Sequence, residues 1–253
     1  MAVLHATFFS DTLRKQVQMN VFTPNKGNGP FPVFYLLHGL SDDYTAWQRW
    51  TRLENYLGDL PLVVVMPDGF RGFYCDHVDG PKFATYMLND VVGFVERTFP
   101  VLRTRAGRCI GGLSMGGYGA ISLALLRPEM FVSANSHSGA FWRGKPLFDF
   151  LKDPEFAKVF GTKKQVMGSV RDVFAQSEKH KRNGTKLPKM LIDCGVGDFL
   201  VAGNRDFHAH LESLKIPHTY TEFPGVHDWD YWDIHIREAL AFHAKALGIA
   251  KEK

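Results

Sequence analysis

Residues 111–117, Gly-Gly-Leu-Ser-Met-Gly-Gly, decide the fold. A short extended run, Arg108-Cys109-Ile110, leads into them, and Tyr118 to Leu126 leads out with helical character until Pro128. Strand, sharp turn with a central serine, then helix is the context in which Gly-x-Ser-x-Gly acts as a nucleophile elbow. Gly112 and Gly116 lie two residues either side of Ser114. A side chain at either place collides once the turn forces the serine into a strained conformation. The helix that follows points its free N–H groups back at the turn, where they stabilise negative charge. A glycine-rich turn also captures a serine by chance, so the rest of the chain has to carry the reading.

Outward from the elbow, the chain alternates strands and helices. Upstream, Val3 to Ser10 and Gln16 to Thr23 read as a hairpin turned at Asp11–Arg14, with Val17, Met19 and Val21 alternating with Gln18 and Asn20. Pro32 to Leu37 and Leu62 to Met66 are continuous apolar runs, as in strands buried on both faces. Helices are expected over Thr45 to Leu57 and Phe83 to Phe99. Downstream, Phe131 to Ser136, Lys189 to Cys194 and His218 to Phe223 read as strands, with helices over Ala202 to Leu214 and Asp230 to Leu247. Residues 141–188 break the rhythm and suggest a small cap with two helices, near Pro154–Phe160 and Val170–Lys179. Eight strands with helices inserted from the third onward predict an α/β fold. Its sheet is mostly parallel, covered on both faces, with an antiparallel start. The expected organisation is one domain over 1–253 with the 141–188 cap.

Composition narrows the function classes. The chain has 253 residues, 45% hydrophobic and 22% charged, enough for a sizeable core in an ordinary soluble protein. A net charge of +4, dispersed apart from Lys163-Lys164 and Lys179-His180-Lys181-Arg182, argues against a nucleic-acid partner. No apolar run reaches membrane-span length, so no membrane partner is expected. Met1 to His5 shows neither a basic leader nor an apolar signal region, and the three cysteines, Cys75, Cys109 and Cys194, have no paired spacing. Both features point to a cytoplasmic protein.

A serine nucleophile needs a histidine to take its proton and a carboxylate to hold that histidine. Eleven histidines are available, so position has to choose. Beyond the elbow, His208, His210, His235 and His243 fall inside expected helices, His218 begins a strand and His180 sits in the cap. His137 follows the neighbouring sixth strand and stays open as an alternative. His227, in the loop Pro224-Gly225-Val226-His227 after the eighth strand, is the preferred base. Asp193 lies within the seventh strand, whereas Asp198 lies in the loop after it and is the preferred acid. The order Ser114, Asp198, His227 is that of α/β-hydrolases. For the oxyanion, the Met115 amide follows the nucleophile, and the Leu40 amide in His38-Gly39-Leu40 follows the third strand. Phe141, Trp142, Phe199, Leu200 and Trp229 are candidates for lining the substrate pocket.

Four motifs now bear on one family: Leu37-His38-Gly39-Leu40 with Trp47; Gly112-Leu113-Ser114-Met115-Gly116-Gly117-Tyr118-Gly119; Gly197-Asp198-Phe199-Leu200; and His227-Asp228-Trp229-Asp230-Tyr231-Trp232. Together they resemble the esterase D family of α/β-hydrolases, in particular its tributyrin esterase branch, related to S-formylglutathione hydrolases and mycolyltransferases. The resemblance spans nearly the whole chain. It implies a serine carboxylesterase without metal or cofactor, acting on small-molecule short-chain esters, in a family whose members are often homo-oligomers. Its nucleophile, acid and base fall on Ser114, Asp198 and His227. His38-Gly39-Leu40-Ser41 departs from the Ser-Gly-Leu-Thr form of formylglutathione hydrolases. The leading expectation is therefore hydrolysis of short acyl or aryl esters. Acyl transfer or a glutathione-thioesterase activity is the alternative, and a non-catalytic binding module on the same fold comes last.

Overall fold

The computed structural model describes residues 1–250, so the last three residues of the expected 1–253 domain lie outside the described residues. Eight strands form one sheet: β1 (Ala2–Ser10), β2 (Lys15–Thr23), β3 (Val33–Leu37), β4 (Val63–Pro67), β5 (Arg108–Leu113), β6 (Ser133–His137), β7 (Lys189–Gly195) and β8 (Thr219–Phe223). Their spatial order is β1-β2-β4-β3-β5-β6-β7-β8. The pairs β1–β2 and β2–β4 are antiparallel, and β3 to β8 run parallel. This is the expected α/β architecture with its antiparallel start.

Period-two alternation explains why the central strands are apolar throughout. In β3 every residue is buried. Val33, Tyr35 and Leu37 join one hydrophobic cluster, while Phe34 and Leu36 join the other on the opposite face. Helices cover both faces: α1 (Ala46–Trp50), α2 (Leu53–Leu57), α3 (Phe83–Thr85), α4 (Val92–Thr98) and α5 (Met115–Leu126) in the first half. The second half adds α6 (Lys145–Phe150), α7 (Pro154–Phe160), α8 (Lys163–Val166), α9 (Val173–Arg182), α10 (Val201–Ser213) and α11 (Trp229–Leu247). In α5, the elbow helix, Met115 to Leu125 are all buried, which is why its sequence is apolar all round instead of striped.

Three stretches expected to be helical are organised differently. Thr45–Leu57 is two helices, because Thr51 is extended and its hydroxyl donates to the Trp47 carbonyl at 2.5 Å, closing the first. Phe83–Thr98 contains a π-helical turn over Tyr86–Val91. The 141–188 stretch holds four helices, not two, and α7, α8 and α9 carry their own caps. Asp153 accepts from Glu155 N–H, Thr162 and Gln165 form a capping box, and Asp172 accepts from Ala175 N–H.

Candidate active site

Ser114 joins β5 to α5 with φ 53° and ψ −116°, a backbone region costly for any residue with a side chain. The turn is held from several sides. The Ser114 N–H donates to the His137 carbonyl at 2.9 Å, and its carbonyl accepts from the Tyr118 and Ala140 amides at 3.0 and 3.1 Å. A Cβ on Gly112 would come within 2.6 Å of the Leu37 carbonyl oxygen, and one on Gly116 within 2.5 Å. Only glycine at both places lets the elbow close against the end of β3.

His227, between β8 and α11, places Nε2 3.0 Å from Ser114 Oγ and Nδ1 2.8 Å from Asp198 Oδ2. A carboxylate only accepts, so Nδ1 carries the proton and Nε2 offers its lone pair to the serine hydroxyl. The Asp198 side chain is fully buried, that of His227 16% exposed. Asp198 Oδ1 accepts from the Leu200 N–H at 2.7 Å. Burial alone pushes the Asp198 carboxyl up, but the bonds from His227, the Leu200 amide and Ser138 outweigh it and hold the group below its usual range. It is therefore ionised near neutral pH, as a partner for an imidazolium must be.

On the other side of Ser114 stands the loop after β3. A Cβ on Gly39 would lie 3.8 Å from Ser114 Cβ and 2.8 Å from Leu113 Cδ1, so this backbone runs directly beside the serine. His38 sets its course. Nδ1–H donates to the Gly39 carbonyl at 2.8 Å, and Nε2 accepts the Gly69 N–H at 2.9 Å. Asp68 Oδ1 is 3.4 Å from the same Nε2, but an accepting Nε2 belongs to a neutral ring, so the contact with Asp68 is not an ion pair. Tyr74 OH accepts the His38 N–H at 3.0 Å and donates to the His38 carbonyl at 3.1 Å. Met115 opens α5, so its N–H has no acceptor within the helix.

The five expected pocket residues separate. The Phe199 ring lies 4.5 Å from His227 and is 75% exposed, and Trp229 packs edge-on between Trp47 and Trp232 at 5.3 Å from each. Trp142 is half-buried, 4.0 Å from Phe150. Phe141 is fully buried 4.5 Å from Phe207, and Leu200 is buried at the start of α10, so neither reaches an open surface. Sequence reading passed over Ser138, Tyr74 and Trp47 as supports. Ser138, at φ 49°, accepts from Trp232 Nε1–H at 3.3 Å and helps hold the Asp198 carboxyl below its usual range. Trp47 Nε1–H donates to the Leu37 carbonyl at 3.0 Å. The position of Ser138 just after β6, at a carboxyl end, was the available signal.

A cleft of about 920 Å³ opens beside Leu40, with Asp42, Asp68, Arg71, His77 and Glu155 among its walls. No helix among the described residues is long and apolar enough to cross a membrane.

Comparison with known proteins shows the family and the fold. The model of the Esterase family matches residues 10–243. An acetyl esterase from Caldicellulosiruptor saccharolyticus is 31% identical over 97% of this chain and 99% of its own length. Two Staphylococcus aureus structures are similar. The fluorophosphonate-binding serine hydrolase FphF has a TM-score of 0.87 at 31% identity, and the S-formylglutathione hydrolase FrmB has 0.85 at 30%. Each match covers 96% of this chain and 98% of the other.

Proposed function

The chain belongs to the Esterase family, and from that premise we propose that Ser114, His227 and Asp198 are the nucleophile, base and acid of a short-chain esterase. It is a serine-type carboxylic ester hydrolase of the α/β-hydrolase fold, acting on small-molecule esters. One observation supports the residue roles above the others: the unbroken chain from Asp198 Oδ2 to His227 Nδ1 (2.8 Å) and from Nε2 to Ser114 Oγ (3.0 Å).

In this reading Ser114 Oγ attacks the ester carbonyl while its proton passes to His227 Nε2. The Met115 and Leu40 amides hold the oxyanion, and the His38–Tyr74 bonds keep the Leu40 loop in place for it. His227 then protonates the departing alcohol. Water, activated by the same ring, releases the acyl group from Ser114. Asp198 stays ionised throughout and stabilises the imidazolium. The acyl chain lies against Phe199 and Trp229, and the alcohol faces the cleft beside Leu40. The whole chain forms one domain in which 141–188 is a small cap. Its buried free cysteines suit a reducing, cytoplasmic setting.

Phe199 and Trp229 beside the triad favour short acyl groups, because a methylene that meets a ring is rejected by sterics, whereas one that fits contributes roughly 1 kcal/mol. Specificity constants along a p-nitrophenyl ester series should be highest from acetyl to butyryl and fall steeply beyond about six carbons. Equal or rising values with long chains would overturn the short-chain reading. The likeness to FrmB supports a second reading, thioester hydrolysis, for which S-formylglutathione is the direct comparison substrate.

A further inference from the structure

We propose that His208, Glu212 and His218 form a divalent transition-metal site that ties α10 to the segment leading into β8, remote from the hydrolytic chemistry. One ligand atom from each of the three residues lies within 4.8 Å of the other two. His208 and Glu212 are four residues apart on α10 and so share a face of the helix. His218 comes from the turn just before β8 and meets them, with Nε2 2.8 Å from His208 Nδ1.

Both imidazoles are oriented by groups outside the trio. His218 Nδ1–H donates to the Ile216 carbonyl at 2.8 Å, which leaves the lone pair on Nε2, aimed at His208. The His208 ring is stacked on Tyr220, with centroids 4.3 Å apart and planes 11° from parallel. Ligand histidines are fixed in the same way in metal sites, with the second nitrogen donating to a carbonyl or carboxylate. In the metal-free protein the two facing nitrogens share a single proton. A cation would take the place of that proton, which moves to His208 Nε2 so that both ligand rings stay neutral.

The donor set, two imidazoles and one carboxylate, suits Zn²⁺, Ni²⁺ or Cu²⁺ rather than Mg²⁺ or Ca²⁺. With metal–nitrogen bonds of about 2.0–2.1 Å, nitrogens 2.8 Å apart correspond to an angle near ~90°. Tetrahedral Zn²⁺ needs roughly 3.3 Å, which a small rotation of either half-buried ring supplies. Glu212 is exposed and free to swing in. His218 stands at the amino end of β8, whereas Ser114 and His227 gather at the carboxyl ends of their strands. A bound ion would brace the two elements that lead away from Asp198 and towards His227 without touching either.

Calorimetric titration of the untagged full chain with ZnCl₂, alongside His208→Ala, His218→Ala and Glu212→Gln, tests the site. One equivalent should bind. Each His→Ala change should weaken that binding by more than about tenfold and Glu212→Gln by about tenfold. All three variants should keep wild-type ester hydrolysis and melting behaviour without metal. Saturating Zn²⁺ should raise the wild-type Tm by several degrees and leave the His→Ala variants unmoved. With CuCl₂, the electron paramagnetic resonance signal should carry two nitrogen couplings in the wild type and one in each His→Ala variant. Unchanged Zn²⁺ affinity in both His→Ala variants, or no saturable binding by the wild type, would overturn the site.

Discussion

Two histidine–aspartate pairs stand near the carboxyl end of this sheet, and only one of them faces the elbow serine. His227 and Asp198 are 2.8 Å apart, and the far nitrogen of His227 reaches Ser114. His137 and Asp193 are just as close, at 2.7 Å, but their side chains are only 0% and 2% exposed. Tyr231 OH donates to the second Asp193 oxygen at 2.9 Å. His137 Nε2 is buried and has no hydrogen-bond partner among the described residues. The same chemical pair therefore serves two ends. Next to a strained serine and partly open to water it is placed for the proton transfer proposed above, whereas sealed between β6, β7 and α11 it is a structural tie. What separates them is the neighbour of the second nitrogen, not the pair itself.

Removing the neighbour breaks the comparison most severely. Ser114→Ala and His227→Ala should each lower kcat for p-nitrophenyl acetate on the order of 10⁵-fold while circular dichroism and Tm stay unchanged. Asp198→Asn should cost on the order of 10⁴-fold, since it removes the charge that fixes the His227 tautomer. Asp193→Asn should show the opposite profile. Activity of the folded enzyme should stay within a few-fold, while stability falls by about 2–4 kcal/mol, or a Tm loss on the order of 10 °C. If Asp193→Asn abolished turnover at full stability and Asp198→Asn did not, the roles of the two pairs would be reversed.

The fold was readable because its signals are local. Buried strands such as Val33–Leu37 are continuous apolar runs, and parallel sheets collect functional loops at one end, which singled out His227 and Asp198 over helical histidines and a mid-strand aspartate. The tie between His137 and Asp193 was not readable, because it depends on register. The two residues are directly opposite each other across β6 and β7, a pairing that neither strand's sequence declares. The fate of the aromatics was equally hidden. Phe73, Tyr74, Phe141 and Phe199 look alike in a string, but three are buried and only Phe199 stands out by His227. In the cap, α7, α8 and α9 are marked by their N-caps more than by apolar periodicity, a signal spread over single residues such as Asp153, Thr162 and Asp172.

A third histidine leaves activity at neutral pH alone and shows itself only on acidification. His243 is fully buried, with Nδ1 2.8 Å from Ser133 Oγ and Nε2 2.9 Å from Asn135 Oδ1. Burial, aided by the charge of His137, lowers its pKa from 6.5 to about 3. The folded state thus declines a proton that the unfolded chain accepts. His243 should cost nothing above pH 6.5 and should erode stability as pH falls from 6.5 towards 3, by up to roughly 1.4 kcal/mol per pH unit. Denaturant midpoints of the wild type and His243→Gln across that range should converge on acidification, and parallel curves would contradict this assignment.

The central claim, that the elbow serine is the nucleophile driven by the open pair, is tested most directly by labelling with a fluorophosphonate, read by intact mass and peptide mapping. The account predicts one adduct per chain, on Ser114, absent from Ser114→Ala and at least ~100-fold slower to form in His227→Ala. It predicts near-normal labelling in Asp193→Asn. An adduct on any other residue, or undiminished labelling of Ser114→Ala, would contradict it.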